Sequence, residues 1–229
     1  MAGKVRAAIA PPFRAEHIGS LLRPERLIAA RRRLGAGEIG CDELAAIEDE
    51  AIMGAVRLQE AAGFAVVTDG EFRRPSYHGY FYSRLGAITI DASPAVEARG
   101  GEGRGLQPAA RIGSPIAWRG PIHVDDFMRL KSITGAMPKI TIPGPCALHF
   151  RGGDAAVTAS AYDDVDAFWS DIVDAFRREL AALAVAGCRY IQIDETAFAK
   201  FGDPQIRATL AARGDDWDNL IDRYMWRSR

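Results

Sequence analysis

The sequence predicts an α/β protein built on a parallel sheet, and three observations carry that prediction. An amphipathic helical stripe, a glycine that stops it, and a short apolar run occur in that order twice along the chain. The apolar runs are continuous rather than alternating, as expected of strands covered on both faces. An acidic residue closes each run, Asp69-Gly-Glu71 in the first and Asp194-Glu195 in the second.

Glu16-His-Ile-Gly-Ser20 reads as a short first strand. The helix after it has Pro24 in its first turn, where a missing N–H is tolerated, and continues through Leu27, Ile28, Arg31 and Leu34. Asp42 is the expected N-cap of a second helix with the stripe Leu44, Ile47, Ala51, Ala55, Leu58 and Ala62, and Gly63 ends it. Phe64-Ala-Val-Val-Thr68 is then a buried strand. Ala87-Ile-Thr-Ile90 and Arg111-Ile-Gly-Ser-Pro-Ile-Ala117 flank the tip Gly100-Gly-Glu-Gly-Arg-Gly105 and predict an inserted β-hairpin, the region 87–137. That tip is a loop and not a phosphate cradle, because no Lys-Ser/Thr follows it and no strand-to-helix context surrounds it. Lys139-Ile-Thr-Ile142 is a strand that turns at Pro143-Gly-Pro-Cys146. Val165, Phe168, Trp169, Ile172, Phe176, Leu180 and Leu183 mark a long helix. Gly187 stops it, and Arg189-Tyr-Ile-Gln-Ile193 is the next strand. Asp216 caps a last helix with Trp217, Leu220, Ile221 and Tyr224 on one face.

No linker divides the chain, so residues 1–229 read as a single domain. Four parallel strand cues fit either an open doubly wound sheet or a barrel. A complete (β/α)₈ barrel takes about 250 residues and eight strands. Here the insertion takes part of the length, and the last helix presents an apolar face with no strand after it. The sequence therefore reads as an unfinished, truncated α/β array of about four βα units.

Composition excludes several classes of function. Hydrophobic residues make up 48% and charged residues 26%, an ordinary globular balance. A formal net charge of −1 gives no basic footprint for nucleic acid or for a membrane surface. No apolar run approaches the ~18 residues of a membrane span, and the N-terminal segment has too short an apolar run for a signal peptide. The chain reads as cytoplasmic. Its three cysteines, Cys41, Cys146 and Cys188, form no C-x-x-C pair, which argues against a disulfide framework. The four histidines form no metal-binding cluster. Cys146 and His149 make a C-x-x-H pair, but in a run that reads as strand, where i and i+3 face opposite sides.

Ligands of parallel α/β proteins bind beyond the carboxyl ends of the strands. The polar residues expected there are Ile18-Gly19-Ser20, Asp69, Glu71, Pro143-Gly-Pro145, Asp194 and Glu195, with His17 as a further pocket residue. Converging acids suit an amino group, a metal or acid–base chemistry; alternatively they cap helices or pair with Arg73 and Arg74. No nucleophile elbow and no Ser or Cys with an evident His partner occurs.

Glu16-His-Ile-Gly-Ser-Leu-Leu-Arg-Pro24, Thr68-Asp-Gly-Glu-Phe-Arg-Arg74, Ile142-Pro-Gly-Pro145 and Tyr190-Ile-Gln-Ile-Asp-Glu195 occur in this order. Together they resemble the cobalamin-independent methionine synthase family, in particular its stand-alone members similar to the C-terminal catalytic domain. The resemblance extends from about His17 to Trp226 and implies a (β/α)₈ TIM barrel, here its first four βα units plus the inserted hairpin. It implies a methyltransferase of methionine biosynthesis that moves a methyl group from 5-methyltetrahydrofolate, or another donor, to the thiol of homocysteine. Ile18, Gly19 and Ser20 match the segment that holds the substrate carboxylate, and Glu71 and Asp194 match the acids that hold its amino group. A zinc ion is implied as thiol activator, yet the family's H-x-C, Glu and Cys ligands are not found in these 229 residues. The family's tryptophan near the third strand is also unmatched, since Leu148-His-Phe-Arg151 stands there. Other readings are alkyl transfer to a different thiol or from a corrinoid protein, a non-catalytic thiol amino-acid binder or inert fragment, and a decarboxylase of related fold.

Overall fold

A computed structural model describes residues 15–86, 88–89, 111–158 and 161–227. The first elements in chain order are α1 (Glu25–Gly35), α2 (Cys41–Ala61), β1 (Val66–Val67), α3 (Gly79–Tyr82), β2 (Ile88–Thr89) and β3 (Arg111–Ile112). Next come α4 (Val124–Ile133), β4 (Met137–Pro138), β5 (Ile140–Pro143), α5 (Cys146–Thr158) and α6 (Val165–Val185). β6 (Ile191–Asp194), α7 (Thr196–Lys200), α8 (Pro204–Ala212) and α9 (Trp217–Arg227) complete the series. The architecture is mixed α/β. Among the described residues no helix is long and apolar enough to cross a membrane.

Two compact units form. The first draws on Met1–Arg74, Val124–Thr141 and Ala186–Gln192, and the second on Pro75–His123, Ile142–Val185 and Ile193–Arg229.

In the first unit, Pro24 caps α1 and its carbonyl accepts the N–H groups of Leu27 and Ile28. α2 begins at Cys41 with Gly40 as its cap, so Asp42 is a first-turn acid favoured by the helix dipole and not the cap the sequence suggested. Gly63 ends α2 at φ 84°, with its N–H on Glu60 O and that of Phe64 on Gln59 O. The buried face of α2 also departs from the expected stripe. Ile47, Ile52, Ala55, Val56 and Gln59 are buried, while Leu58 is 68% exposed. Leu27, Ala30, Ile47, Ile52, Val56, Val67, Phe72 and Leu130 form this unit's core.

Only Val66–Val67 of the expected second strand is laddered. It pairs parallel with β4 in the register Val66↔Met137. Lys139 separates β4 from β5, and there the chain changes partner: the Lys139 N–H goes to Val67 O, the Ile140 N–H to Tyr190 O. The bonds Ile140→Tyr190 and Gly144→Asp194 advance in the same direction, the signature of parallel pairing between β5 and β6. The expected first strand, Glu16–Ser20, is irregular. It is tied by side-chain and loop bonds instead, since Thr68 Oγ1 donates to Gly19 O at 2.7 Å and Leu21 N–H to Gly70 O at 3.1 Å.

In the second unit, β2 pairs antiparallel with β3 in the register Ile88↔Ile112; the glycine-rich tip Gly100–Gly105 lies outside the described residues. Cys146 and His149 sit on α5 and not on a strand, because the Pro143-Gly-Pro145 turn ends β5 and starts the helix. Phe168, Trp169, Ile172, Phe176 and Leu183 of α6 are buried as the periodicity predicts. Glu179 on the same face is buried as well and accepts the Trp118 indole N–H and the backbone N–H groups of Ile122 and His123 at 2.8–2.9 Å. The apolar face of α9, expected to lack a partner, is covered: Leu220 and Tyr224 are buried, and the Tyr224 ring lies 5.9 Å from Trp169 and 6.1 Å from Phe201.

Candidate functional site

The loop after β1 carries the most organised polar cluster of the first unit. Gly70 and Glu71 both take left-handed backbone conformations, φ 65° and 60°. A non-glycine residue held there costs about 1 kcal/mol or more, so the surroundings must impose it. Three bonds do so. Asp69 Oδ1 accepts the Glu71 N–H at 2.9 Å, Thr68 Oγ1 accepts the Gly70 N–H at 3.2 Å, and the Arg23 guanidinium donates to the carbonyls of Glu71 and Arg74 at 3.1 and 2.8 Å.

These constraints present a buried carboxylate. Glu71 is 2% exposed, and its Oε1 accepts the Thr141 hydroxyl at 2.8 Å. That hydroxyl in turn accepts from Arg74 Nη1 at 3.1 Å, and the same nitrogen donates to Thr141 O at 2.8 Å. Arg74 Nη1 lies 4.0 Å from Glu71 Oε1, so the buried acid has a buried cation in range. Gly19 closes the cluster. A Cβ there would stand 2.5 Å from Thr141 Cγ2 and 2.8 Å from Glu71 Oε1, so only glycine lets the backbone approach the acid.

The first unit thus brings Gly19 and Glu71 together, flanked by Ile18 and Ser20, whose side chains are exposed. His17 is directed elsewhere: its Nε2 lies 2.6 Å from Gln59 Oε1 and its ring packs edge-on against Phe64. Gln59 also bonds both backbone groups of Thr68, so His17 buttresses the joint between α2 and β1. Asp69 holds the turn through Oδ1, and it lines a cavity of about 320 Å³ with Asp49, Arg73 and Asp126. Arg74 stands where the sequence offered it as a partner of the acids, whereas Arg23 and Thr141 had no such reading. The signal for Thr141 was a lone hydroxyl in an otherwise apolar strand.

Asp194 and Glu195 belong to the second unit. Asp194 is the last residue of β6, half-buried, and its carbonyl accepts the Gly144 N–H at 2.9 Å. Glu195 is a cap. Its oxygens accept the N–H groups of Cys146 at 2.9 Å and Ala197 at 3.2 Å, and burial pushes its carboxyl above the usual range.

Neither unit offers a zinc ligand set: among the described residues no group of three or more His, Cys, Asp or Glu could hold a metal ion. The nearest thing to a motif, Cys146 and His149, is committed to packing. His149 Nδ1 lies 2.6 Å from the Tyr224 hydroxyl and its Nε2 2.7 Å from Asp154. Burial lowers the imidazole pKa, against the pull of Asp154, and the His149 hydrogen bond brings the Asp154 carboxyl down to about 2.

Residues 13–218 match the family model of the cobalamin-independent synthase catalytic domain. The Bacillus subtilis protein YxjG, described as uncharacterized, is 37% identical over 215 residues, which cover 92% of this chain and 55% of that protein. A 5-methyltetrahydropteroyltriglutamate–homocysteine methyltransferase from Nitratidesulfovibrio vulgaris is 33% identical over 210 residues, 90% of this chain and 26% of that one. A candidate vitamin-B12-independent methionine synthase from Listeria monocytogenes superposes with a TM-score of 0.64 at 32% identity, over 82% of this chain and 53% of that chain. The chain thus spans about half the length of the first curated relatives it matches. With an ordered set of motifs, a shared fold and a family match over most of its length, the chain belongs to the cobalamin-independent methionine synthase catalytic-domain family.

Proposed function

We propose that this chain supplies the amino-acid-binding half of a methyl transfer to the thiol of homocysteine. The observation that carries the reading is the buried Glu71 carboxylate, held by Thr141 and pressed against Gly19. A carboxylate fixed in this way is pre-organised for an ammonium group, because its orientation is set before the ligand arrives. The exposed Ser20 hydroxyl and the backbone around Ile18 and Gly19 are proposed to receive the substrate carboxylate. The names of the methyltransferase relatives support the reaction class, and 5-methyltetrahydrofolate is the proposed donor.

Zinc would lower the thiol pKa in such a reaction. The described residues do not fit a zinc site, so no step is assigned to the metal here. This chain's own residues bind and orient the amino acid. Histidine and aspartate at positions 17 and 69 support the backbone that carries the site.

Calorimetry with homocysteine tests the reading. Binding is expected for the chain as it stands and is expected to vanish in Glu71→Gln, which keeps the shape and removes the charge. Equal affinity in both proteins would overturn the assignment of Glu71.

A further inference from the structure

Three basic side chains converge in the second unit, from segments the methyl-transfer reading does not use. Arg151 lies on α5 and Lys200 closes α7, the helices that directly follow β5 and β6; His78 immediately precedes α3. Arg151 and Lys200 therefore rise from the carboxyl-end side of parallel strands, where α/β proteins bind their ligands. Arg151 Nη2 is in hydrogen-bond contact with His78 Nε2, and Lys200 Nζ lies 5.2 Å from the centre of the Phe150 ring.

Guanidinium has only donors, so His78 Nε2 must be the acceptor and the ring proton must sit on Nδ1. That buried Nδ1–H has no hydrogen-bond partner among the described residues. Burial, then the charges of Arg151 and Lys200, press the His78 pKa down to about 4, so the ring is neutral near pH 7. Tyr77 and Tyr82 face Arg151, and their hydroxyls are engaged with Thr196 Oγ1 and Gly144 O. Glu195 faces Lys200, but both of its oxygens already accept backbone N–H groups. The described contacts set two cations against one acid and make the cluster rich in donors.

We propose that Arg151, Lys200 and His78 form a site for an oxyanion, the carboxylate or phosphate group of a small-molecule ligand. Arg151 and Lys200 supply the charge, and His78 orients Arg151 while offering Nδ1–H as a further donor. Assigning that group to the methyl donor rests on the proposed function; the site itself does not.

The His78 ring resonance tests the site, identified by its loss in His78→Gln. Its pKa is followed by NMR with inorganic phosphate and, separately, with glutarate. Either anion is expected to raise it saturably by about one unit or more, because an anion offsets the two cations. A shift with phosphate alone marks a phosphate group, one with glutarate alone a carboxylate, and both outcomes support the site. No shift with either anion overturns it. Lys200→Gln is expected to weaken the anion roughly tenfold and Lys200→Arg to retain it; unchanged affinity in Lys200→Gln also overturns the proposal. Homocysteine calorimetry is a separate measurement, so the oxyanion site and the Glu71 reading can fail independently.

Discussion

Glu71 and Glu195 invite comparison because the sequence introduces them in the same way, each as an acid just past an apolar strand. Both are packed against a glycine that can carry no side chain. A Cβ on Gly19 would meet Glu71 Oε1 at 2.8 Å, and one on Gly144 would meet Glu195 Oε2 at 2.2 Å. Their partners differ. Glu195 gives both oxygens to backbone N–H groups at helix starts, the work of a cap. Glu71 is held through one oxygen by a hydroxyl that is itself held by a guanidinium. An acid saturated by the backbone is structural. An acid oriented by side chains, with an oxygen given to no backbone group, is the one the proposed function assigns to the ammonium.

The largest effect is expected from Gly144→Ala, because the added methyl would also lie 2.7 Å from Glu195 Cα, and backbone cannot swing aside. Overpacking of this kind costs about 3 kcal/mol or more, read from urea unfolding, and a loss below about 1 kcal/mol would show that the turn relaxes. Arg74→Met should cost about 3 kcal/mol, since it leaves the buried Glu71 without its cation and Thr141 without a donor. Retained stability with retained homocysteine binding would show that the relay through Thr141 does not hold Glu71. Gly19→Ala is expected to cost about 1–2 kcal/mol, because the colliding atoms are side-chain ends that can yield, and to weaken homocysteine through displacement of Glu71. Glu195→Gln should cost about 1 kcal/mol, the range for a lost cap, and leave homocysteine affinity unchanged.

The last effect is a slope. His78 has a folded-state pKa of about 4 against an unfolded value of 6.5. Between these values the unfolded chain binds a proton that the folded chain refuses, so stability is full above pH 6.5 and declines as pH falls toward 4. His149, also lowered by burial, acts in the same direction. Denaturation series across this window should flatten in His78→Gln, and an unchanged slope would place the depression elsewhere.

Much of the fold was legible because helix stripes and stop signals are local. The long α6 and its glycine stop, the turn at Pro143–Pro145, and the Asp216 cap of α9 follow from side-chain periodicity and backbone chemistry. The run Glu16–Ser20 suits a strand by residue type but is irregular, because the Gly19 carbonyl accepts from the Thr68 hydroxyl and the N–H of the following Leu21 goes to Gly70. The buried face of α2 rotated away from Leu58 because Gln59, a polar residue no stripe would include, is drawn inward to cap both backbone groups of Thr68. Glu179 was hidden for the same reason: a charge on an apolar face is readable only once the three N–H groups it serves are in place.

By itself the sequence determined which acids end strands and where glycines allow the chain to turn or approach, since both depend on a few adjacent residues. Only the tertiary structure decided that side chains hold Glu71 while Glu195 is spent on helix starts. Those roles depend on Thr141, 70 residues from Glu71, and Cys146, 49 residues from Glu195. Hydrogen bonds across such distances leave no periodic trace, because one partner is fixed only when separate strands come side by side.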